Sequence, residues 1–196
     1  MKNKVLIGLS AIMIAAMFMG CAKVPQVEID LANAAIESAI TAGADKYLPD
    51  EFAAVKDSMN AIMEAVELQK SKTFAKYGDT KAKLASVVTM ANDLIPKTEA
   101  RIAELKAEVP KKLEEVAALV KEDKDLLMKA PKGKEGLAAL NVIKGEIATA
   151  EASMNDVTSL LNSGDVLGAS NKVNGLLEKL MQIKKELQDA IAKAKK

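Results

Sequence analysis

The chain reads as an all-α protein built of antiparallel helical hairpins with heptad seams, either coiled-coil or elongated four-helix-bundle-like. Three observations predict this. Aromatic side chains make up only 3% of the residues and charged ones 28%, a bias that long Ala-, Leu-, Lys- and Glu-rich helices carry. Apolar residues step by three and four through most of the chain, the repeat that keeps one stripe of a helix turned toward a partner. No stretch alternates apolar and polar residues for long enough to make a strand.

Helical pattern begins near Glu28 and continues through Leu31, Ala35 and Ala39 to about Ala42. The segment from Gly43 to Pro49 breaks it. Pro49 suits the first turn of a new helix, and Asp50 and Glu51 favour its positive end. Phe52, Val55, Met59, Ile62 and Val66 then form a seam that blurs at Gln69 and Thr73. The helix is expected to end at Tyr77-Gly78, with Gly78 relieving a left-handed terminus and Asp79 capping the next helix.

The second arm carries Leu84, Val88, Ala91, Ile95, Thr98, Ile102, Leu105, Val109, Val116 and Leu119. Pro96 and Pro110 fall on its outer face, where they either bend the helix around its partner or each begin a separate helix. Lys129 to Lys134 reads as a loop. Leu140, Ile143, Ile147, Ala150, Met154, Val157 and Leu161 follow, then a turn at Asn162-Ser163-Gly164-Asp165. The last helix carries Ala169, Val173, Leu176, Leu180, Ile183, Leu187 and Ala190. The outline is a kinked hairpin over 28–128 turning near 77–79, a linker at 129–135, and a second hairpin over 136–196 turning near 162–165. The two Gly-Asp turns suggest an internal duplication. Folding back at Gly78 would set Pro49 level with Pro110, and in the second hairpin Ile147 would meet Leu180 and Met154 would meet Val173.

The available side chains restrict the chemistry. There is no His and no Trp, Cys21 is the only cysteine and Arg101 the only arginine. Disulfides and the usual soft-metal ligands are absent, and so is the commonest general base. No glycine-rich phosphate loop occurs. Asp123-Lys124-Asp125 lacks the remaining positions of a calcium loop and reads as a solvated helix end. No catalytic residue, cofactor or metal is expected. Met59, Met63, Met154 and Met181 are expected to fill the core.

The N-terminus is the most specific segment. Met1-Lys2-Asn3-Lys4 is basic, Val5 to Met19 is apolar, and Gly20-Cys21-Ala22 closes the run. That is the layout of a secretory signal, too short for the ~20 residues of a membrane-spanning helix. The Gly-Cys ending resembles the bacterial lipoprotein signal, with Phe18 and Met19 departing from its usual residues. The resemblance implies cleavage between Gly20 and Cys21, acylation of Cys21, a signal peptide over 1–20 and a lipidated tether over 21–27. Two acyl chains anchor stably at about 0.8 kcal/mol per buried CH₂. Ala22, in place of Asp, implies the outer membrane, facing the periplasm. Loss of Lys2 and Lys4 leaves a formal charge of −1 from an initial +1, which offers no basic face for nucleic acid.

A second resemblance covers Ala32 to Asp93. Gly43-Ala44-Asp45-Lys46-Tyr47-Leu48-Pro49-Asp50-Glu51 is similar to the Gly-Ala-x-x-Tyr-x-Pro-x-Glu motif of an alanine-rich helical domain of unknown function found in bacterial envelope lipoproteins. Alanine density is lower here, and Tyr77 and Ala82 only approximate that domain's second arm. The resemblance implies an anchored helical module facing the periplasm and brings no catalytic residues. Lys193-Ala194-Lys195-Lys196 lacks the terminal Tyr-Arg-Lys by which the short murein lipoprotein joins the cell wall, and reads as a complement to a helix dipole.

Together these readings lead to the expectation of a non-enzymatic, membrane-anchored scaffold or interaction module. It would meet a protein partner, or a second copy of itself, through helix faces. Phe74 and Tyr77 at the hairpin tip would be the docking residues, or else would plug the place where the helices splay. The other reading is a carrier of an apolar ligand between the hairpins.

Overall fold

A computed structural model describes residues 23–131 and 134–194. Among these residues the chain is all-α, with helices α1 (Gln26–Ala42), α2 (Ala44–Tyr47), α3 (Pro49–Lys70), α4 (Gly78–Lys129), α5 (Lys134–Asn162) and α6 (Val166–Lys193). It divides into two compact units, the first ending at Glu99 and the second covering Ala100–Lys196. The boundary therefore falls inside α4 and not in the 129–135 segment. Length is the physical reason. Helix α3 has 22 residues and α4 has 52, so the apolar stripe of α4 outruns its partner in the first unit.

In the first unit α1 buries Ile29, Ala32, Ala35 and Ala39. Leu31 lies outside this stripe and is exposed, because the inward face is phased on Ile29 and Ala32. The structured region also starts earlier than the expected tether allows: Pro25 is buried and Val24 packs against the core. Gly43 ends α1 in the left-handed conformation at φ 91°, and its N–H donates to the Ile40 carbonyl at 2.8 Å. A side chain there would meet the Tyr47 ring at 3.2 Å as well as the strain of positive φ. Pro49 then opens α3, with Asp50 and Glu51 in its first turn. The five residues of the predicted α3 seam, Phe52 through Val66, are its five buried residues.

The turn after α3 differs from expectation. The helix stops at Lys70, where Ser71 keeps a right-handed conformation. Residues 71–77 connect, and Gly78 begins α4 without positive φ. From Gln69 to Thr73 no apolar residue faces the core, so packing gives the last turn nothing to hold. The Gln69 side chain instead accepts the Lys76 N–H at 3.5 Å across the connection. Ser58 and Ile62 of α3 consequently share a groove with Lys83, Val87 and Met90 of α4. Gly43 faces Thr98, so the break at 43–49 is level with the first proline of α4, not with Pro110. Glu28 and Lys81 join the starts of α1 and α4 at 2.6 Å.

Helix α4 runs unbroken through Pro96 and Pro110, both exposed as predicted. Its buried residues include Leu84, Ala91, Thr98, Leu105, Val109 and Val116 as expected. Val87, Leu94 and Val120 are buried in place of their neighbours Val88, Ile95 and Leu119, which are half-buried.

In the second unit the later part of α4 meets α5 and α6. Ile147, Ala150 and Val157 of α5 join Ala169, Val173, Leu180, Ile183 and Leu187 of α6 with Val109, Val116 and Val120. The turn between α5 and α6 is as predicted. Gly164 sits at φ 87°, the Asp165 N–H donates to the Leu160 carbonyl and the Gly164 N–H to that of Leu161. This double closure satisfies the last carbonyls of the helix. The Asp165 carboxylate caps α6 by accepting the Gly168 N–H at 2.9 Å. Asp156–Lys172 at 2.6 Å and Glu146–Lys179 at 2.7 Å pair α5 and α6 in reverse order.

The two Gly-Asp pairs thus do different work, and the turn chemistry gives no support to a duplication. Gly164→Ala should lower stability by about 1 kcal/mol through its left-handed backbone, whereas Gly78→Ala should be neutral or slightly stabilising. Thermal denaturation of the two variants checks this.

Candidate functional site

Gly20 and Cys21, the predicted cleavage and attachment positions, lie outside the described residues. No helix among the described residues is long and apolar enough to cross a membrane.

The predicted docking pair separates. Tyr77 is 4% exposed and belongs to the first core, whereas Phe74 is 74% exposed. The reason is local: Tyr77 directly precedes α4, and its carbonyl accepts the Lys81 N–H at 2.9 Å, which ties it to the helix and the core below. Phe74 lies mid-connection with nothing to hold it. Of the four methionines expected inside, Met59 is buried, Met63 and Met154 are half-buried and Met181 is exposed.

The structure brings forward a residue that sequence reading misplaced. Asp123 is fully buried, and neither of its carboxylate oxygens has a hydrogen-bond partner among the described residues. It is not part of a solvated helix end. The signal was available in the spacing, because Val109, Val116 and Asp123 follow at seven-residue intervals on the inward stripe. Burial pushes its carboxyl up from the ordinary 3.8 to about 6; the neighbouring Glu122 adds to the rise and Lys184 opposes it. Keeping that carboxyl ionised inside the unit costs the native state roughly 3 kcal/mol. Glu28 behaves oppositely. Its hydrogen bond to Lys81 holds it below the usual carboxylate range, with little effect on stability because the Lys81 side of the pair is exposed to solvent.

Around Asp123 the surface charges are already engaged. Glu122 accepts from Lys184 of α6 at 2.9 Å, and Lys124 donates to Glu151 of α5 at 2.7 Å. Beside the second pair an open groove of about 500 Å³ is lined by Leu127, Met128, Ile147 and Ala148, with Lys124 and Lys144 at its rim. No group of three or more His, Cys, Asp or Glu side chains among the described residues is arranged to hold a metal ion.

The chain matches no protein-family model, no curated protein and no solved structure.

The contrast between the two aromatic residues gives a direct check. Tyr77→Ala should destabilise the protein by about 3–5 kcal/mol as a buried aromatic truncation, and Phe74→Ala should change stability by no more than about 0.5 kcal/mol. Chemical denaturation of both variants measures the difference.

Proposed function

We propose that this protein is a non-enzymatic envelope lipoprotein, held to a membrane by acylated Cys21 and presenting its helix faces to a periplasmic partner or to a second copy. The observation that carries the reading is the N-terminal sequence, a basic start and an apolar run ending in Gly20-Cys21. The Gly43-Ala44 to Glu51 motif supports it through its resemblance to a helical domain of envelope lipoproteins. The folded region also begins close behind the anchor, with α1 starting at Gln26. Helices so attached display surface near the bilayer without entering it. Phe74, exposed on the connection at 71–77, is the docking residue this reading retains.

A second reading, a carrier of an apolar ligand, is favoured by the groove beside Leu127, Met128 and Ile147. Its volume falls within the ~300–1,000 Å³ of small-molecule sites. Lys144 at its rim suits an acyl carboxylate, whereas Lys124 is held by Glu151 of the same groove. Native mass spectrometry of the purified chain distinguishes this reading by a co-purifying lipid.

The anchor is tested by Cys21→Ser. Metabolic labelling with a radiolabelled fatty acid should mark the wild type and not the variant, and the variant should leave the membrane fraction in high salt. Equal labelling of both would remove the anchor from the account.

A further inference from the structure

Asp123 stands where the α4 spacing calls for an apolar side chain. Val116 and Val120, on the same stripe, belong to the core that Ile147, Ala150, Leu180, Ile183 and Leu187 complete. The carboxyl is fully buried there, and neither of its oxygens has a hydrogen-bond partner among the described residues. The nearby charges do not supply one. Glu122 and Lys184 hold each other, as do Lys124 and Glu151, and one step along, Glu146 of α5 and Lys179 of α6. The cations of these pairs are each held by a surface carboxylate, and the exposed Lys121 of α4, Lys144 of α5 and Lys185 of α6 make no hydrogen bond to Asp123. An ionised group buried without a partner is far more costly than a neutral one.

We propose that the unit Ala100–Lys196 is proton-responsive. With Asp123 neutral, α4, α5 and α6 close around it. With Asp123 ionised, the α4 segment near it opens so that the carboxylate reaches water, loosening α4 from α5 and α6. The device is specific to this unit, because the buried polar residues of the first unit, Thr80 and Thr98, carry no charge.

The direction follows from linkage. Burial raises the folded-state value from 3.8 to about 6, so the native state holds the proton more tightly than the open state does. The stability is fully present below 3.8 and is lost as pH rises through about 6. Glu28, whose value is lowered, pushes the opposite way, and its contribution is removed by comparing the wild type with the Asp123 variant.

Amide hydrogen exchange on the full chain in detergent micelles, corrected for intrinsic rates, tests the proposal. In the wild type, opening at Val120, Ile147 and Ile183 should be about tenfold more frequent at pH 8 than at pH 5. Asp123→Asn should abolish that rise, and Val87 and Ala91 in the first unit should show none in either protein. An equal rise in the variant, no rise in the wild type, or the same rise in both units overturns the proposal. Should Asp123→Asn fail to fold, a carboxyl-carbon NMR titration of the wild type decides alone: a midpoint for Asp123 near 6 supports the device, and one near 4 overturns it.

Discussion

The apolar stripe of α4 is the constraint from which both units follow, because neither pair of remaining helices can close a core by itself. Two packed helices leave one apolar side open, and a third element has to cover it. In the first unit that element is the start of α4, where Leu84, Val87, Ala91 and Leu94 meet α1 and α3. In the second it is the later part, where Val109, Val116 and Val120 meet α5 and α6. One helix thus supplies a wall to each core and carries two exposed prolines. The ion pairs on the rims, such as Glu28–Lys81 and Glu122–Lys184, fix register more than they add stability, since exposed pairs contribute little.

Against that background Asp123 is the one charged group among the buried residues of the described chain. The rest of the molecule keeps its chemistry on the surface. A chain without histidine, whose only cysteine stands at the end of an apolar leader, has few ways to sense its surroundings through side-chain ionisation. A carboxyl raised toward neutrality by burial supplies one. It also places that sensitivity in the unit farther along the chain from Cys21.

Much of the fold was legible wherever spacing and local chemistry agreed. The α3 seam is read directly from steps of three and four at Phe52 to Val66, and Pro49 marks its start. At Gly164-Asp165 both turn residues do what their types suggest. At Gly78-Asp79 the same pair misleads, because what ends α3 is the lack of apolar residues after Gln69, a packing effect that no turn residue announces. In α4 the inward face is reached by steps of three, from Leu84 to Val87 and from Ala91 to Leu94, and by a step of four from Val116 to Val120, where the sequence reading takes four, four and three. Leu31 misleads by its hydrophobicity, and Asp123 by its company of charges; in each case the phase of the helix overrules the residue type. Of the predicted site, Tyr77 belongs to the core, Phe74 remains at the surface, and Cys21 is argued from sequence.

The central structural claim is that α4 serves two cores that hold separately. Residue-resolved hydrogen exchange of Leu84→Ala and Val116→Ala tests it most directly. The account predicts that Leu84→Ala speeds exchange at Val55 and Ile62 while sparing Ile147 and Leu180, and that Val116→Ala does the reverse. If either substitution loosened both sets of amides equally, the two-core description of α4 would be contradicted.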